Sequence, residues 1–290
     1  MKIICRGRIF RMNYDTLYTD LACERRRANI TSEGIDYKRE SNINGVWERI
    51  KVKNAEGAIA LGKPVGLYDS LHTLRLDKMD YEQIMGVTEE LAGELGEIVE
   101  KTGGVGTNIL VVGLGNQSLT PDATGPEAAD RVRATRHIAE LDEELFSTLG
   151  CARISVIKPG VIAKCGIDSA TTIEGIAKEI KPDLVLTIDS LVARGRSRLG
   201  STLQISNTGI CPGSGLGKAK REISANTVGA PVICIGVPTV INSDALYFGT
   251  EEKKRGSEGM LVSPKEVGEI VKNAAEIIGG AINLAFGIFS

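Results

Sequence analysis

Histidine is nearly absent from this chain of 290 residues: His72 and His137 are the only two. Neither lies in a recognisable motif. A Ser-His-Asp or Cys-His system would rest on one isolated ring, and a zinc site with several imidazole ligands is excluded. Aromatic residues amount to 4%, too few for a base-stacking platform. An excess of positive charge is missing too, with 35 Lys+Arg against 37 Asp+Glu and a formal net charge of −2. No nucleic-acid partner is therefore expected. The apolar stretch from Ile277 to Phe289 is interrupted by three glycines and Asn283 and falls short of the roughly 18 residues of a membrane span. The first residues carry Arg6, Arg8 and Arg11 without the apolar core of a signal peptide. Six cysteines (Cys5, Cys23, Cys151, Cys165, Cys211, Cys234) include no CxxC pair, which points to reduced thiols rather than a disulfide framework. The expectation is a soluble, cytoplasmic protein without a membrane partner, whose hydrolytic chemistry, if any, depends on carboxylates.

What is present is ordinary globular composition, 42% hydrophobic and 25% charged. Residues 1–30 are locally basic and weakly periodic, which reads as a mobile arm or a removable segment. Residues 31–75 alternate polar and apolar (VWERIKVKN, then AIALGKPVGLY) around Asn44-Gly45, a hairpin signal, and predict a small antiparallel sheet. Beyond residue 80 the pattern changes. Apolar residues at helical spacing predict a helix from Asp80 to Lys101. Asn108-ILVVGLGN, Arg153-ISVIKPG, Leu184-VLTID and Pro231-VICIGVPTVI read as strands buried on both faces, the first ending in glycines. Helices are predicted between them, from about Pro126 to His137 and from Thr172 to Ile180. Ser263-Pro264-Lys265-Glu266 reads as a capping box opening a final amphipathic helix. Such alternation predicts an α/β fold: an open, mostly parallel twisted sheet with helices on both faces, plus the small antiparallel N-terminal sheet.

Two glycine-rich segments invite phosphate-binding readings and fail them. Gly113-Leu-Gly115-Asn116-Gln-Ser118 lacks the third glycine and runs on into a loop instead of a helix. Pro212-GSGLGKA has Pro212 at the first glycine position and Ala219 where a P-loop needs Ser or Thr. No nucleotide cofactor is expected. Two carboxylates remain where open α/β sheets place ligands, at the carboxyl ends of strands. Asp122 lies in the loop leaving the first buried strand, and Asp189 ends Leu184-VLTID. Brought close together, they would share a proton, leaving one as base and the other as acid.

At these residues the sequence resembles the germination protease family of spore endopeptidases. The matching stretches include Leu110-VVGLGNQSLTPDATGP, Lys181-PDLVLTIDSLVAR, Ser201-TLQISNTGICPGSGLGKAKREIS, Gly229-APVICIGVPTVI and the terminal Val262-SPKEVGEIVKNAAEIIGGAINLA. The resemblance implies an endopeptidase that begins the degradation of small acid-soluble, DNA-protecting spore proteins during germination. It implies a fold similar to hydrogenase maturation endopeptidases, a homotetramer, and residence in the developing spore and spore core. It also implies a zymogen that removes a short N-terminal segment by autoprocessing. Asp122 and Asp189 correspond to the two aspartates implicated in family activity. Asp20-Leu21-Ala22 fits the family's cleavage preference, which makes 1–20 the pro-segment and 21–290 a single peptidase domain. No metal or cofactor is expected. The alternatives are a metal-dependent endopeptidase, in which His137 is the only candidate histidine ligand, and a non-catalytic binding module on the same fold. The segment from Asn242 to Met260 is much shorter than the family's usual insertion.

Overall fold

The computed structural model describes residues 19–26, 33–103, 107–212, 221–243 and 260–288, together with the backbone of 2–5 and 8–11. Strands β1 (Lys2–Cys5) and β2 (Arg8–Arg11) form an antiparallel hairpin of their own. A short helix α1 (Ala22–Arg25) follows. Residues 19–26, which the sequence assigns to a mobile arm or removable segment, are packed into the fold: Thr19, Leu21 and Ala22 are buried.

Strands β3 (Ile35–Ser41) and β4 (Val46–Val52) flank the Asn44-Gly45 turn, and β5 (Gly66–His72) pairs antiparallel with β4. Between β4 and β5 lies helix α2 (Ala55–Leu61), not the strand that alternation predicts. Local capping decides this. The Asn54 side chain accepts from the Gly57 N–H, and Gly62 closes the helix in the left-handed conformation.

The remaining elements form the α/β body. Helix α3 (Tyr81–Thr102) opens on an Asp80–Gln83 capping box. Strand β6 (Asn108–Gly113) leads to α4 (Thr124–Ala129), α5 (Arg136–Leu141) and α6 (Glu143–Leu149). The single helix expected near 126–137 is thus broken. Thr135 makes the break, exchanging backbone and hydroxyl hydrogen bonds with Ala152 and Ile154 that pull the chain onto the next strand. That strand is β7 (Arg153–Ile157), followed by α7 (Ile162–Cys165), α8 (Ser169–Ile180), β8 (Leu184–Ala193), β9 (Thr202–Ser206), α9 (Ala225–Val228), β10 (Val232–Asn242), β11 (Leu261–Val262) and α10 (Val267–Ala285). The expected capping box before α10 does not form, because Glu266 is the N-cap and bonds Arg75 instead.

One sheet runs β3-β4-β5-β9-β10-β8-β6-β7, with β11 on β10. β10, β8, β6 and β7 are mutually parallel, while β9 and the front strands pair antiparallel. The antiparallel region is therefore a continuation of the main sheet. Alternation along the parallel strands divides the core. Ile109, Val111, Leu184, Leu186, Ile188, Ile233 and Ile235 meet residues of α3 and α10 on one face. Leu110, Val112, Val185, Val232 and Cys234 meet Ala170, Ile173 and Ala177 of α8 on the other.

Candidate active site

The carboxyl ends of β6 and β8 open into a cavity of about 410 Å³, within the size range of ligand pockets. Asp122, Asp189, Asp20, Arg25, Lys63 and Gln204 all line it. The two aspartates that sequence reasoning singles out are thus brought to one cavity.

Each is held by the fold. Asp189 pairs in register with Gly236 of β10 and is 9% exposed. Its Oδ1 accepts from the Ser190 N–H at 2.9 Å. Asp122 ends a tight helical turn, Thr120–Asp122, whose carbonyls are tied down on both sides. The Asp122 carbonyl accepts from the Asn116 N–H at 3.0 Å, and that of Pro121 accepts from the Thr239 hydroxyl at 2.6 Å. Gly115 adopts φ +116°, and a β-carbon there would lie 2.1 Å from the Asp122 carbonyl oxygen. Gly125, at the start of α4, approaches the carbonyls of Leu114 and Ile188 so closely that a side chain would collide with both. The glycines flanking β6 therefore let the Asp122 loop close onto β8. They are not a phosphate cradle.

The chain segment around Asp20 crosses the same cavity. The Asp20 N–H donates to the Val192 carbonyl at 2.8 Å, and the Val192 N–H donates to Asp20 Oδ2 at 2.9 Å. Glu24 accepts from the N–H groups of Arg194 and Gly195, and Arg25 donates to the carbonyls of Thr19 and Gly62. The Asp20–Leu21 peptide bond is consequently fixed in place, with Lys63 Nζ 2.8 Å and Gln204 Nε2 3.3 Å from the Asp20 carbonyl oxygen. Sequence reasoning missed Lys63 and Gln204. Lys63 sits in a loop without a motif. Gln204 did carry a signal, as a buried polar residue in the apolar strand TLQIS.

Other nucleophiles fail on physical grounds. Cys234 and Cys211 line the cavity, but burial pushes the Cys234 thiol up to about 12 and raises Cys211 as well. A catalytic cysteine needs the opposite shift. Neither histidine lines the cavity: His137 is on α5, and His72 contacts Glu48 and Thr202. Among the described residues, Cys23, Glu48 and His72 are the one group whose potential metal-ligand atoms lie within 4.8 Å of each other. Arg198 stands 3.0 Å from the Glu48 carboxylate, supplying the positive charge a cation would otherwise bring. We read the trio as a packing contact between α1 and the sheet. Among the described residues, Cys23, Cys151, Cys165, Cys211 and Cys234 are free thiols. The glycine-rich residues 213–220 and most of the short 242–260 segment lie outside the described residues.

A family model described as germination protease matches residues 15–250. The chain belongs to the germination protease family. A germination protease from Caldanaerobacter subterraneus subsp. tengcongensis is 33% identical, over 92% of this chain and 93% of that protein. Those from Priestia megaterium and Bacillus subtilis are 37% and 36% identical, each over 87% of this chain and covering 74% and 73% of their own lengths. Among solved structures, the NiFe hydrogenase maturation protease HycI from Thermococcus kodakarensis KOD1 aligns with a TM-score of 0.38 at 19% identity. That alignment covers 66% of this chain and 99% of that one. The chain is an endopeptidase. None of its described helices is long and apolar enough to cross a membrane.

Proposed function

We propose that this protein cuts small acid-soluble, DNA-protecting spore proteins during germination, with Asp122 and Asp189 as its acid/base pair. It is made as a zymogen that cleaves its own Asp20–Leu21 bond, and it works as a homotetramer inside the spore. The observation that carries the reading is the shared cavity: the two aspartates and Asp20 line the same space.

The chemistry follows from paired carboxylates. One, ionised, takes a proton from water as the water oxygen attacks the carbonyl carbon. The other, protonated, delivers its proton to the departing nitrogen. Groups with such complementary roles contribute large factors, so Asp122→Asn or Asp189→Asn should slow cleavage by about 10²–10⁴-fold. The test incubates each variant with a small acid-soluble spore protein and follows the fragments, with thermal melting as the control for folding. Folded variants that leave the substrate uncut support the assignment; wild-type rates in both remove it. Activity of the wild type before and after chelation tests the metal-dependent alternative.

A further inference from the structure

We propose that Lys63 and Gln204 are catalytic residues that stabilise the oxyanion formed when the Asp20–Leu21 bond is cut, and that they serve the same purpose on the substrate carbonyl. The inference rests on the reading of Asp20–Leu21 as the scissile bond.

Two donors converge on one carbonyl oxygen, Lys63 Nζ at 2.8 Å and Gln204 Nε2 at 3.3 Å. Gln204 also spans the bond. Its Oε1 accepts from the Ala22 N–H at 2.7 Å while its Nε2 donates to Asp20, so a single amide fixes the chain on both sides of the peptide to be cut. Gln204 projects from the middle of β9 and is buried. Donors on a rigid strand need little reorganisation when charge develops, which is the condition for strong electrostatic stabilisation. Burial and the neighbouring Arg25 guanidinium push the Lys63 ammonium down to about 8, leaving it charged at neutral pH.

The step balances with water as co-reactant. The water oxygen bonds to the Asp20 carbonyl carbon as one aspartate takes its proton, and the π electron pair moves onto the carbonyl oxygen facing Lys63 and Gln204. When that pair returns, the C–N bond breaks and the Leu21 nitrogen leaves with a proton from the second aspartate. A paired carboxylate supplies the base and the acid, but neither neutralises the charge on this oxygen. Lys63 does so.

Self-scission in the full-length chain is the appropriate assay, because the bond is already seated. Lys63→Met should slow the first-order rate by about 10²–10³-fold, while amide hydrogen exchange at Leu21 and Ala22 stays as protected as in the wild type. Lys63→Arg should recover part of the rate. Gln204→Glu keeps the acceptor for Ala22 but cannot donate to the carbonyl, and should slow scission about tenfold. An unchanged rate in folded Lys63→Met overturns the proposal. So does a loss of protection that accounts for the slower rate, since both donors would then only anchor the segment. If Lys63→Met does not fold, the Gln204→Glu rate decides in the same way. Failure of the underlying reading looks different: Asp122→Asn and Asp189→Asn would then cut at wild-type rates, or the wild type would cut elsewhere than at Asp20–Leu21.

Discussion

At Gly115 the chain leaves β6 with φ +116°, and the Asp122 carbonyl packs against its α-carbon. Alanine would meet both the conformational penalty of that region and a collision with main-chain atoms that have no free rotation. Gly115→Ala should therefore cost about 1–3 kcal/mol of stability and displace the Asp122 turn. Because positioning errors near an ångström can cost about a hundredfold, cleavage should fall by that order while most molecules remain folded. Thermal melting and the rate of spore-protein cleavage, measured on the same preparation, check this. A stable variant with full activity would show that Asp122 does not depend on this turn.

Among the secondary-structure elements, α3 is clamped to the antiparallel strands by a cluster with more carboxylates than cations. Asp69 of β5 and Glu94 of α3 are buried together, and Arg49 of β4 bonds Glu94 while lying 3.7 Å from Asp69. Burial first and the Glu94 carboxylate second push Asp69 up to about 7 from an ordinary 3.8. The native state thus holds a proton that the unfolded chain releases more readily. The stability from this proton is fully present below the unfolded value and is lost as pH rises through the folded one. The melting temperature should accordingly decline from roughly pH 4 to roughly pH 7, and Asp69→Asn, which mimics the protonated acid, should flatten that decline. Melting curves across the range check it; an unaltered slope in the variant would place the titration elsewhere. None of this cluster was legible in the sequence, since β4, β5 and α3 are separate in the chain and only the fold joins them. The parallel strands were legible because burial on both faces leaves a continuous β-branched run. Asp122 and Asp189 were legible because such strands end where ligands bind. β9 escaped notice as a five-residue strand with polar residues inside it, and α2 was misread because Asn54 and Gly62 outweigh a short alternation.

Across the molecule as a whole, the seated segment and the active cavity occupy each other's space. Asp20 and Arg25 line the cavity, and Leu21 and Ala22 are wholly buried beside it, so an incoming peptide cannot lie along the same donors until this stretch withdraws. In the proposed processing, scission itself would supply the reason to withdraw. A new ammonium at Leu21 would be enclosed among apolar neighbours of the Leu21 cluster, with the Thr19 hydroxyl that its nitrogen contacts at 3.1 Å on the departing piece. Burying an unpaired charge is unfavourable enough to expel the end into water. Under the proposed self-processing the bond already lies in its own chain's cavity, so cutting would be intramolecular and would gain the advantage of held reactants. The half-time for conversion of the full chain to one beginning at Leu21, followed by intact mass, should therefore not change with protein concentration. Asp189→Asn chains mixed with wild type should keep Met1, since their segment is sheltered in an inactive cavity. Cleavage of an added spore protein should lag and then rise with the appearance of the shortened chain. A half-time that shortens with concentration, or processing of the Asp189→Asn chain by its wild-type neighbours, would mean that the segment is cut by a second molecule and that its seat is only a resting place.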